Sequence, residues 1–320
     1  MVLLSGCVLE QPQGQDNTAS VRLPIPVWNA WFAGFASAED AGFYAEEGLD
    51  VAYNMGTPEL NPVKMVVSGS DEFGVLGGPD TLLVARGKGA PIVAIAVLHH
   101  DKTFPCIASL RNSGITTAQD LEGKKIGFFY GHISTDIIRA LLHQEGIDYK
   151  EVDVGGYNYT PLVSGQVDAE WCFITDALVN LKHEGIELNV ISPQDYGIVV
   201  DGYTIFATEE TIREKPEMVE RFLRATLKGV EYALEHEEES IGFLKAREPN
   251  LKPGLERERF DIIHPAIDTP ESAELGIGYM DREMFEKAYN RMDREGLIRD
   301  GFDVSEAYTT EFLDRIYNRS

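Results

Sequence analysis

The stretch LEGKKIGFFYGHISTDIIRALL, residues 121–142, constrains the fold of this chain more than any other. Gly123, Lys124 and Lys125 mark a turn, and residues 126–129 form an apolar run of strand length. Tyr130, Gly131 and His132 interrupt that run. Ser134 or Thr135 can then cap a helix whose apolar face is Ile137, Ile138, Leu141 and Leu142. A strand that passes through a glycine turn into a helix belongs in an α/β sheet. The turn then lies beyond the carboxyl end of a strand, where free N–H groups point outward and ligands bind.

The same alternation runs through the chain. Strands are expected at 22–27, 50–53, 73–76 and 91–98, with helices at 35–47, after Gly56-Thr57-Pro58, and at 80–88. The 91–98 run is almost wholly apolar, as in a strand covered on both faces. After His99-His100-Asp101 the pattern restarts. Strands are expected at 106–110, 152–154, 170–173 and 188–191, helical pieces at 161–167 and 175–184, and a returning strand at 203–207. The remainder reads as helical, at 216–236, 280–294 and 305–317. Two α/β halves with a helical tail predict a bilobal protein, its lobes joined by crossover strands near 104–108 and 202–206. The expected division is a tether at 1–21, a first lobe at 22–103 plus 207–320, and a second lobe at 104–206.

The net charge is −25, from 28 basic and 53 acidic residues, which argues against nucleic acid and anionic membrane surfaces as partners. No segment approaches the roughly 20 apolar residues of a spanning helix. Three cysteines make no disulfide scaffold, and their spacing suggests no metal site. Val2-Leu3-Leu4-Ser5-Gly6-Cys7 reads as a lipobox with Cys7 as the lipidated residue, followed by a polar tether. No basic region precedes it and the apolar run is short for a signal peptide, so an accidental match is the alternative.

The runs GFYAEEGLDV (42–51), DEFGV (71–75), ARGKGAPIVAIA (85–96), DLEGKKIG (120–127) and ETIREKPEMVERFLRATLKGVEYA (210–233) recur in order over residues 22–300. Together they resemble the ABC-transporter substrate-binding proteins for thiamine pyrimidine precursors, a group that also includes riboflavin, sulfonate, taurine and nitrate binders. The resemblance implies a bilobal periplasmic-binding fold of type II with two crossovers. It also implies an aromatic ring facing the ligand at the end of the first strand, where Trp28, Asn29 and Trp31 stand here, with Asn29 on the family asparagine and the tryptophan displaced. Further aromatics are implied after the strand holding Trp171 and Phe173, and in the return segment Asp201-Gly202-Tyr203.

Four segments after strands are candidate walls: 28–32, 77–80, 130–135 and 171–176. They supply Trp28, Trp31, Gly78, Tyr130, His132, Trp171, Phe173 and Asp176, to which the return segment adds Asp201 and Tyr203. Aromatic rings there could stack on a flat heterocycle, or simply fill the lobe cores. Asp80, Asp136 and Asp176 each fall in a first helical turn, where ordinary capping is the competing explanation. A small-anion site wants free N–H groups and basic neighbours, yet the four wall segments contain no Lys or Arg. The expected ligand is therefore a neutral or cationic aromatic ring bearing N–H donors. His99 and His100 are adjacent on a strand and point to opposite faces, which argues against a metal pair; both are expected at the lobe crossover, where His100 could approach the ligand.

The expectation is a non-enzymatic, extracytoplasmic, lipid-anchored monomer without cofactor or metal. It would bind a small molecule and serve an ABC permease with its ATPase. A riboflavin, sulfonate, taurine or nitrate ligand is the alternative within this class. The alternative of another class is a synthase, since a eukaryotic branch of the fold builds the thiamine pyrimidine from pyridoxal phosphate and one of its own histidines. That branch carries a cysteine-rich motif, which the sequence around Cys172 does not reproduce.

Overall fold

The computed structural model describes residues 17–319, apart from 58, 101, 103, 133, 299 and 300. The lipobox reading and Cys7 lie outside the described residues.

Among these residues the strands form two mixed five-stranded sheets. The first has the order β2-β1-β3-β10-β4, built from β1 (Thr18–Leu23), β2 (Asp50–Met55), β3 (Phe73–Leu76), β4 (Ile92–His99) and β10 (Gly202–Thr208). The second has the order β7-β6-β8-β5-β9, from β5 (Pro105–Leu110), β6 (Lys125–Phe128), β7 (Lys150–Asp153), β8 (Ala169–Phe173) and β9 (Leu188–Ile191). The chain crosses between sheets twice, after β4 and after β9. Each crossing delivers a strand that lies antiparallel to its new neighbours: β5 beside β8 and β9, and β10 beside β3 and β4. Helices cover both sheets, as the expected α/β bilobal fold requires.

The elements depart from expectation where proline and glycine intervene. The first strand is Thr18–Leu23 rather than 22–27, with Thr18 already in register with Asp50. Pro24 and Pro26 each remove a backbone donor from the segment expected to be strand, and the chain bends there. The expected tether therefore gives way to sheet at Thr18. The helix expected over 35–47 is two, Ala33–Asp40 and Phe43–Glu46, parted by Gly42 at φ 81°. The C-terminal helices join the first lobe, where Phe222, Phe260, Phe285 and Phe312 complete one continuous core with β1, β3, β4 and β10. The second lobe has two smaller clusters on opposite faces of its sheet. One helix of each lobe meets the other across the gap: Lys182 and His183 on the second-lobe helix Ile174–His183 both meet Glu258 on the first-lobe helix Pro253–Ile267, at 3.0 and 2.7 Å.

Candidate ligand-binding site

Two groups of rings gather where the carboxyl ends of the strands converge. On the first lobe Trp31 stacks on Tyr203, centroids 4.8 Å apart and planes 5° from parallel. Phe104 meets the Trp31 edge at 4.5 Å, and His99 lies 5.0 Å from Trp31 and 5.1 Å from Tyr203. Tyr203 is placed by an unusual backbone. Its φ is 47°, a left-handed value rare for a residue with a side chain, and its N–H donates to the Gly77 carbonyl at 3.1 Å. The return segment can come this close because residue 78 is glycine: a Cβ there would sit 2.3 Å from the Asp201 carbonyl oxygen. Gly78 thus shapes the wall instead of contacting a ligand through a side chain.

On the second lobe Phe129, His132, Tyr157, Trp171 and Phe173 form a connected set, with His132 5.1 Å from Trp171 and Tyr157 5.7 Å from it. Period-two alternation along β8 puts Trp171 and Phe173 on this face and Cys172 on the other. Phe173 packs against the hydrophobic clusters of both lobes and so joins the two walls. His132 is held from both sides, Nδ1 2.7 Å from the Ser134 hydroxyl and Nε2 3.0 Å from the Tyr157 hydroxyl. Burial lowers it to about 4, and lowers His99 to about 3, so both rings are neutral at physiological pH. Ser134, expected as a helix cap, uses its hydroxyl on this histidine.

Asp176 stands in the first turn of the Ile174–His183 helix, half-buried. Burial pushes its carboxyl up, against the pull of Arg259 3.8 Å away. Burial also raises the phenols of Tyr157 and Tyr203, and both feel the Asp176 charge as a secondary cause. Arg259 comes from the Pro253–Ile267 helix; it also pairs with Glu256 and donates to Asn180 at 2.8 Å. Glu256 in turn accepts the Ala30 N–H at 2.8 Å, beside Trp31. Two carboxylates therefore share one guanidinium, and the local balance stays negative. Two buried polar groups nearby in sequence, the Trp171 indole N–H and the Thr175 hydroxyl, have no hydrogen-bond partner among the described residues.

Several candidates lie elsewhere. Trp28 packs edge-on against Tyr53 at 5.1 Å under Arg247, and its ring contacts are with the first-lobe core and not with either wall. The bent Pro24–Val27 approach explains the exchange: it turns Trp31 onto the return segment and leaves Trp28 against β2. Asn29 caps the short turn at Ala30–Phe32 by accepting the Trp31 N–H at 3.1 Å. Tyr130 is 47% exposed and faces Arg139 and Glu151 on the outer side of the lobe. Asp201 lies 3.8 Å from His100, whose ring stacks on Tyr279. His99, and not His100, is the histidine on the ring cluster. Asp80 is engaged by Arg291, whose Nε and Nη2 donate at 2.8 and 2.9 Å while Nη1 reaches the Val199 carbonyl. Sequence reasoning missed Tyr157, Phe129, Phe104 and the role of Arg259. Gly155-Gly156-Tyr157 after β7 repeats the strand–glycine–aromatic signal and could have revealed the first; the arginine, about 80 residues from its partner in sequence, gave no local signal. A surface depression of about 550 Å³ on the C-terminal helices is lined by none of these rings.

Two lobes joined by two crossings, with a site at their strand ends, define a bilobal periplasmic-binding fold. The chain belongs to the family described as NMT1/THI5 like, which matches residues 29–240. It is 27% identical to the formylaminopyrimidine-binding protein of Halalkalibacterium halodurans, over 97% of this chain and 96% of that relative. It is 29% identical to the 4-amino-5-hydroxymethyl-2-methylpyrimidine phosphate synthase of Legionella pneumophila, over 86% of each. In three dimensions it resembles the aliphatic sulphonate binding protein SsuA of Escherichia coli, with a TM-score of 0.72, 16% identity and 91% of both chains covered.

Proposed function

We propose that this chain is the solute receptor of an ABC importer. It takes a small aromatic heterocycle between the Trp31–Tyr203 wall and the Trp171–Phe173–Tyr157 wall, and an aminopyrimidine thiamine precursor fits best. The observation that carries the reading is Asp176: a half-buried carboxylate within electrostatic reach of two tyrosines, on the negative side of charge balance. Such a group accepts N–H bonds from an exocyclic amine or faces a ring cation, while the flanking rings stack on the heterocycle. The formylaminopyrimidine-binding relative, matched along nearly its whole length, supports the same choice. In this reading the receptor works outside the cytoplasm, held by a lipid on Cys7, and presents its closed form to a permease with its ATPase.

Thermal shift of the full chain tests the ligand. A ligand at 100 times its Kd adds about 2.7 kcal/mol of stability. Hydroxymethyl- and formylamino-pyrimidines are expected to raise the melting point, while taurine, alkanesulfonates and nitrate leave it unchanged. A rise with riboflavin alone, or with an anion alone, would overturn the assignment. Loss of mass from a histidine side chain on exposure to pyridoxal phosphate would instead support a synthase, as the Legionella relative's name describes.

A further inference from the structure

On the face of β8 opposite the ring cage, Cys172 lies directly across the ladder from Cys106 on β5. Their sulfur atoms are 3.1 Å apart, both side chains are fully buried, and both are free thiols in this structure. Facing residues of an antiparallel pair have Cα atoms about 4.5–5.5 Å apart, inside the span a disulfide accepts. Ala108 and Ala177, both small, share the cluster with Leu162 and Val167.

We propose that Cys106 and Cys172 form a structural disulfide when the chain folds in an oxidising compartment. The bond would tie β5, the strand delivered by the first crossing, to β8, whose other face carries Trp171 and Phe173. It would close a loop spanning 66 positions. The two thiols lose two protons and two electrons to form the S–S bond. A small-molecule or protein disulfide in that compartment takes them up and is reduced to two thiols. Because both sulfurs are sealed from solvent, closure belongs to folding, before β5 and β8 are covered; once folded, the reduced pair is shielded from reagents. The proposal is independent of the ligand assignment.

The test uses the full chain. It is unfolded and reduced, then refolded in a glutathione buffer containing glutathione disulfide, alkylated in denaturant and digested without reductant. The expected result is a linked peptide pair containing Cys106 and Cys172, 2 Da lighter than the two thiol peptides together. The melting point of this oxidised protein is expected to fall by about 5 °C or more on reduction. The Cys106→Ala/Cys172→Ala protein should show no such dependence on reductant. Complete alkylation of both cysteines after refolding would overturn the proposal, and so would capture of either one by glutathione or by Cys7 in place of its neighbour.

Discussion

The two lobes share one strand plan and differ in what stands behind it. Each sheet has three parallel strands, then an antiparallel strand handed over from the other lobe, then a fifth. Behind the first sheet the C-terminal helices add a thick core, and its wall residue Trp31 is 8% exposed. Behind the second sheet the core is thin and divided, and its wall residue Tyr157 is 48% exposed. One wall lies within the folding core; the other is anchored in its core by Trp171, 1% exposed, and extends beyond it through Tyr157. A receptor with one fixed and one adaptable wall can preorganise half of its site and close the other half over the ligand.

The largest effect should come from the fixed wall. Trp31→Ala removes a buried ring that stacks on Tyr203 and meets Phe104, and should cost about 3–5 kcal/mol of stability by denaturant unfolding. Trp28→Ala should likewise lower stability while leaving ligand affinity near that of the parent protein. If Trp31→Ala proved as benign to the fold as a surface change, the contrast between the walls would be lost.

The second lobe hides a different cost. Glu170 on β8 is buried, and burial raises its carboxyl to about 7, although the Leu162 N–H donates to it at 3.1 Å. The folded protein therefore holds this proton more tightly than the unfolded chain, whose carboxyl titrates near 4.5. Stability from this group is greatest below pH 4.5 and is lost as pH rises towards 7, by on the order of 3 kcal/mol. Glu170→Gln keeps an acceptor for Leu162 without the charge. It should melt higher than the parent at pH 7.5 and converge with it near pH 4.5; parallel curves over that range would refute the titration.

These contrasts were only partly legible in the sequence. Apolar runs of strand length bounded by turn residues identified the sheets, as the 73–76 segment, buried throughout, and the 188–191 segment illustrate. The same signal failed where proline overrode apolar character, so that 24–27 read as strand and Trp28 was placed on the wall beside Trp31. Aromatic character alone cannot tell an inward ring from an outward one, and Tyr130 and Phe129, adjacent in sequence, face opposite ways. The absence of Lys and Arg from the wall segments suggested a site without positive partners. The fold brings Arg259 to Asp176 and Arg291 to Asp80 from helices near the C-terminus. Such pairings are tertiary, and no local pattern encodes them.

Asp176 acts electrostatically on Tyr203 of one wall and Tyr157 of the other, and its loss should be felt in binding more than in folding. Asp176→Asn leaves Arg259 its contacts with Glu256 and Asn180, so the helices remain joined. A hydrogen bond to a charged group contributes about 1.5–3 kcal/mol. Affinity for an aminopyrimidine should therefore fall roughly tenfold to a hundredfold in isothermal titration, with the melting point of the unliganded protein nearly unchanged. Equal affinity in the two proteins would remove the carboxylate from the site.

The smallest effect separates ring from hydroxyl on the adaptable wall. Tyr157→Phe keeps the ring near Trp171 and Phe173 and loses only the bond to His132 Nε2. Water can replace that partner because the tyrosine is half exposed, so stability should stay within about 0.5 kcal/mol. Affinity should drop no more than a few fold, whereas Tyr157→Ala, which removes the stacking face, should cost about 0.5–1.5 kcal/mol, up to roughly tenfold. If the phenylalanine variant bound as poorly as the alanine variant, the hydroxyl would be the contributing group. The second wall would then act through a hydrogen bond relayed from Ser134 and His132, and its aromatic surface would be incidental to recognition.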